Sequence, residues 1–175
     1  MISPPRILVA GIGNIFLGDD AFGVHVAQRL MQRTFLPDVR VVDFGIRGLD
    51  LAYALLDGCA LAILIDAVPR GDAPGTLYVM EPQLPDDADP AAGPELIEAH
   101  SMDPVKVLRL VRAMGGSAGR IILVGCEPAP IDDEADMMKL SSAVEAAIEP
   151  ATRMVESLIT KFSSGSLTME VQHVD

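Results

Sequence analysis

Residues 7–23, ILVAGIGNIFLGDDAFG, decide the reading of the fold. An apolar run short enough for a buried strand, Arg6 to Ile12, is broken by Gly11 and Gly13. The chain then passes Asn14 and Gly18 and places two carboxylates, Asp19 and Asp20, where a helix should begin. That helix is amphipathic: Phe22, Val26 and Leu30 share a face with Ala27 and Met31 beside them, and His25, Gln28, Arg29, Gln32 and Arg33 take the other. His25 is therefore read as a solvated helix residue. A strand, a glycine turn and a helix in this order open a doubly wound α/β sheet, in which ligands bind beyond the carboxyl ends of the strands. The turn offers negative charge there, which suits a cation.

The rest of the chain repeats the alternation. Val39–Asp43 reads as a second strand and Leu49–Leu56 as a short helix closed by Asp57-Gly58. Cys59–Ile65 is an unbroken apolar run that ends at Asp66, the pattern of a parallel strand covered on both faces. Thr76–Met80 suits an edge strand, and residues 81–94, rich in Pro, Asp and Ala, suit an exposed loop. Asp103-Pro104 starts a helix to Met114, with Val107, Leu110, Val111 and Met114 turned inward. Arg120–Gly125 is the last strand. Ile131–Lys139 is acidic and takes no assignment. Ser142-Ala-Val-Glu145 spells a capping box for a final helix lined by Val144, Ile148, Val155, Leu158, Ile159 and Phe162, with Pro150 expected to kink it. The expected architecture is a single-domain three-layer α/β/α sandwich with a twisted, mostly parallel central sheet, spanning residues 1–162. A disordered tail is expected over 163–175.

Composition narrows the function classes. The chain has 175 residues and a formal charge of −12, which argues against nucleic acid because phosphates would be repelled. No apolar run approaches the ~18 residues of a membrane span, and MISPP lacks the basic start of a secretory signal. Cys59 and Cys126 match no metal or redox spacing and read as reduced thiols. The expectation is a cytoplasmic, acidic protein that acts as a monomer. No HExxH helix, GxSxG elbow, complete GxGxxG fingerprint or P-loop occurs.

The residues just beyond each strand carry the chemistry. Asp19 and Asp20 follow the first, Asp43 ends the second, Asp66 the third, and Glu127 follows the last. On parallel strands these carboxylates share one edge of the sheet. Asp19 reads as a helix cap, Asp43 equally well as a turn residue, and Glu127 as a loop residue. Asp66 is harder to dismiss, since a carboxylate in so apolar a run costs energy unless something pairs with it. His100, in EAHSMDP, belongs to no core or solvated stripe. Two carboxylates and an imidazole would make a three-ligand site with an open position, and such ligands suit nickel, zinc and similar ions alike.

Four motifs in order, GIGNIFLGDDAFG, LIDAV, AHSMDP and VEAAIEP, resemble those of the hydrogenase maturation endopeptidases, over roughly Arg6 to Leu158. The resemblance implies a hydrolase, an endopeptidase that removes a short C-terminal extension from the nickel-loaded large-subunit precursor of a [NiFe] hydrogenase. It implies the α/β/α fold and a metal-binding, catalytic trio of Asp20, Asp66 and His100. Nickel would be the cofactor, supplied by the precursor. Ala21 stands where many relatives have glycine, and Asp20 where some have Glu. Two mechanisms are compatible: the trio completes the coordination of the substrate's nickel, which activates carbonyl or water, or a carboxylate acts as general base in an aspartic-type reaction. A different class, a non-catalytic nickel carrier or divalent-metal sensor with a flavodoxin-like fold, would bind nickel tightly and cut nothing.

Overall fold

The alternation of side chains along the strands divides the core into two halves. In the computed structural model, which describes residues 6–82, 103–116, 119–130 and 138–167, Ile7 and Val9 of β1 (Ile7–Ile12) face one side and Leu8, Ala10 and Ile12 the other. The same split runs through β3 (Leu61–Ala67) and β5 (Arg120–Cys126). On the first face lie α1 (Phe22–Leu30), through Phe22, Val26 and Leu30, and α4 (Ser142–Ser163), through Val144, Ile148 and Val155. On the second lie α2 (Gly48–Leu56), through Leu51 and Leu55, and α3 (Pro104–Ala113), through Val107, Leu108 and Val111. The result is the expected three-layer α/β/α sandwich.

The five-stranded sheet has the order β2-β1-β3-β5-β4, with β2 spanning Val39–Gly45 and β4 Leu77–Met80. β1, β2, β3 and β5 are parallel, and β4 runs antiparallel at the edge beside β5. The chain leaves β1 towards β2 on one side and returns to β3 on the other. The crevice between the ends of β1 and β3 is thus the topological switch point, where doubly wound sheets take their ligands.

Several details differ from the sequence reading. β3 starts at Leu61, not Cys59, and extends through Asp66 to Ala67 because β5 continues to pair with it: Asp66 lies opposite Gly125. Met31 and Met114 are exposed rather than inward-facing. Asp103 does cap α3, accepting from the Val105 N–H at 2.9 Å, with Pro104 at the first helical position. The cap of α4 is Ser141, whose Oγ accepts from the Val144 N–H, so Ser142 already lies inside the helix and the expected capping box is out of register. α4 continues through Pro150 to Ser163. Glu81, assigned to an exposed loop, is instead half-buried and hydrogen-bonded to Arg120 at 2.6 Å. Residues 83–94, 131–137 and 168–175 of the assigned loop, the acidic stretch and the tail lie outside the described residues. Among the described residues no helix is long and apolar enough to cross a membrane.

Candidate active site

The turn after β1 is shaped by close backbone approach. Gly23, at the start of α1, lies so near the ends of β1 and β3 that a Cβ would come within 2.3 Å of the Ile12 and Ile65 carbonyl oxygens. The helix therefore begins directly over the crevice. Ahead of it, the Asn14 Oδ1 accepts from the Phe16 N–H at 2.9 Å, folding residues 14–16 into an Asx turn. Gly18–Ala21 follows as a single 3-10 turn. Asp20 closes the loop, its Oδ2 accepting from the Asn14 N–H at 2.7 Å, while its side chain stays exposed.

Asp66 is the opposite case. It is 6% exposed, at the end of the central strand. Its Oδ1 accepts from the Ala67 N–H at 2.9 Å. Burial pushes its carboxyl well above the usual range, and the negative charges of Asp20 and Asp103 push the same way against that one hydrogen bond. At the switch point Asp66, at the end of β3, is therefore acted on by carboxylates from two other places, the β1–α1 turn and the start of α3. A buried carboxylate crowded by like charge is the arrangement a cation relieves, and oxygen donors of this kind suit a divalent metal. Among the described residues no group of three His, Cys, Asp or Glu side chains is close enough to hold a metal unaided. His100 lies outside the described residues, three positions before Asp103 in the chain.

The other carboxylates of the edge are engaged in hydrogen bonds. Asp43 Oδ2 accepts from Gln28 Nε2 at 3.2 Å, linking β2 to α1. Glu127 is 5% exposed and accepts from the Tyr78 hydroxyl at 2.6 Å and the N–H groups of Arg70 and Gly71 at 2.8 and 3.1 Å. These bonds hold its carboxyl below the usual range despite burial. Asp19, expected to cap a helix, caps none: Oδ2 accepts from the Ala129 N–H at 2.8 Å and Oδ1 from the Ser141 N–H at 2.6 Å. Sequence reasoning missed this role, because both partners are backbone amides more than 100 residues away. His25 is exposed on α1, as read. Cys59 and Cys126 are both free, and burial, with the charges of Asp19 and Glu127, pushes the Cys126 thiol up to about 12. That thiol is no nucleophile at neutral pH.

Comparison with known proteins agrees on one group. The HycI family model, described as hydrogenase maturation protease, matches residues 24–158. The chain is 32% identical over 169 residues to the hydrogenase 2 maturation protease of Escherichia coli, covering 96% of this chain and 99% of that one. It is 36% identical over 151 residues to the hydrogenase expression/formation protein HupM of Azotobacter chroococcum, covering 85% and 69%. The hydrogenase maturating endopeptidase HybD from E. coli superimposes with a TM-score of 0.66 at 33% identity, covering 91% of this chain and 94% of that one. The [NiFe] hydrogenase maturation protease HycI from Thermococcus kodakarensis does so with a TM-score of 0.62 at 25% identity, covering 89% and 92%.

Proposed function

Because the chain belongs to the hydrogenase maturation protease family, and so is an endopeptidase of hydrogenase maturation, we propose that it cuts a C-terminal extension from the nickel-loaded large-subunit precursor of a [NiFe] hydrogenase, with Asp20, Asp66 and His100 as its working residues. It does so as a cytoplasmic monomer. The observation that carries this reading is Asp66, buried at the switch point and raised in pKa beside Asp20. Asp103, at the start of α3, acts on the same carboxyl; His100 joins the trio on the resemblance of its motif alone. Nickel enters as part of the substrate. Two carboxylates and an imidazole fit it as added ligands, and a metal so held supplies Lewis acidity at the scissile carbonyl or a bound water.

The chain's own residues have distinct tasks. Asp20, exposed and tied through one oxygen to the Asn14 N–H, presents its charge at the mouth of the crevice. Asp66, at its base, holds a proton more readily than an ordinary carboxylate does. In the general-base form of the reaction it is therefore suited to take a proton from an attacking water and to return it to the departing amine, whereas in the metal-assisted form it is a ligand. Ile15, Phe16 and Leu17 are 40–66% exposed on the same turn, an apolar tip that suits a protein rather than a small-molecule substrate.

The test is a processing assay on nickel-loaded precursor, read by intact mass. Wild type is expected to release a C-terminal peptide, and Asp20→Asn, Asp66→Asn and His100→Ala to slow release by at least ~100-fold, the usual scale for loss of an acid–base group. Cleavage by all four proteins would remove the trio. Cleavage of nickel-free precursor at full rate would remove the metal-assisted form and leave the general base. Equilibrium dialysis addresses the carrier: tight stoichiometric nickel binding without precursor, and no cleavage, would favour it.

A further inference from the structure

An open groove of about 680 Å³ adjoins the carboxylates. Asp20 and Ala67, the residue after Asp66, line it from the site, Pro128, Pro130 and Lys139 from the connection between β5 and α4, and Ser142 from the first position of α4. We infer that this groove seats the substrate's peptide on the departing side of the scissile bond, in extended form, with Lys139 facing a carboxylate of that peptide. The inference rests on the endopeptidase reading given above and adds to it a binding track and a specificity contact.

Three observations carry it. The first is continuity: the lining of the groove includes the proposed reacting carboxylate Asp20, so a chain cut there has this channel beside it. The second is preorganisation. Asp19, on the β1–α1 turn, ties its own wall to the opposite one, accepting from the Ala129 N–H and the Ser141 N–H at 2.8 and 2.6 Å. Prolines at 69, 128 and 130 fix the local backbone and carry no N–H. A groove held open before binding avoids the ordering cost that a peptide site otherwise meets. The third is charge. In a chain of formal charge −12, Lys139 is the one cationic side chain lining the groove among the described residues. It is exposed and makes no ion pair among those residues. Asp19 is a positioning residue here, and Lys139 a contact.

The experiment is steady-state processing of nickel-loaded precursor by wild type, Lys139→Glu, Lys139→Arg, Ser142→Trp and Asp66→Asn. Lys139→Glu is expected to raise KM about tenfold with kcat within about twofold, and Lys139→Arg to restore KM, because a contact outside the reacting atoms changes uniform binding. Ser142→Trp, which fills the groove from an exposed position, is expected to raise KM by at least as much with an unchanged urea midpoint. Wild-type KM in both Lys139→Glu and Ser142→Trp overturns the groove. Release of the peptide by Asp66→Asn at the wild-type rate overturns the site reading instead, so the two fail separately. The peptide's carboxylate is either an acidic side chain or the chain end. Precursors with the extension's acidic residues changed to amides, or with neutral residues appended, distinguish these: in one of them the Lys139→Glu penalty should vanish. A penalty kept in both removes the charge pairing.

Discussion

Gly13 decides where Asp20 sits. Its φ is 140°, and a Cβ there would lie 1.8 Å from the Asp20 carbonyl oxygen, a distance no side chain tolerates. Gly13→Ala must therefore either move the carboxylate turn or strain the backbone, and a loss of about 2–3 kcal/mol in urea unfolding is expected. Processing should fall by more than the unfolded fraction explains, since the displaced backbone belongs to Asp20 itself. Stability within ~0.5 kcal/mol of wild type would mean the turn adapts freely. At this scale the sequence is informative where chemistry conflicts with its surroundings. Asp66 stands out because a carboxylate interrupts the most apolar run. Asp19 and Glu127 do not stand out, because their partners, backbone amides and for Glu127 also the Tyr78 hydroxyl, come from remote segments and leave no mark in the local pattern. The groove beside the site is illegible for the same reason: its lining brings together residues 17–20, 67 and 69, 128–130 and 139–142, which are remote in the sequence.

The elements were legible wherever one periodicity covered a whole segment. The apolar stretch of β3, the amphipathic α1 and the Asp-Pro start of α3 all form as their patterns require. Ends were less legible, since pairing with β5 rather than composition sets where β3 stops. The start of α4 is the instructive failure. Ser142 with Glu145 spells the capping box, yet Ser141 is the cap: its N–H donates to Asp19, a tie the local pattern does not show, and its Oγ accepts from the Val144 N–H. Ser141→Ala is accordingly expected to cost about 1 kcal/mol in urea unfolding, and Ser142→Ala, exposed inside the helix, less than ~0.5. Equal costs, or a reversed order, would restore the box as the sequence spells it.

Across the whole molecule, the two halves of the core are apolar, whereas the carboxyl edge of the sheet is fastened by carboxylates accepting from backbone N–H groups. The edge and the core should therefore respond differently to acid. Glu127 gives the sign. Its pKa is depressed in the folded protein, chiefly by the Tyr78 hydroxyl, which together with the backbone amide donors outweighs burial. The unfolded chain thus binds the proton more readily, and stability rises with pH between the folded value and the unfolded value of about 4.3. The stabilisation is present above that window and is lost as pH falls through the folded value. Amide hydrogen exchange offers a local readout. Protection factors at Arg70 and Gly71 should hold at neutral pH and drop at acid pH, while those of Ile63 and Ile122, in strands of the buried core, should change much less. In Glu127→Gln the protection at Arg70 and Gly71 should be low throughout and lose this pH dependence, since no charge remains to be neutralised. If the core amides loosen together with Arg70 and Gly71, edge and core unfold as one unit. Acid would then act on the protein globally rather than on the fastenings of its site.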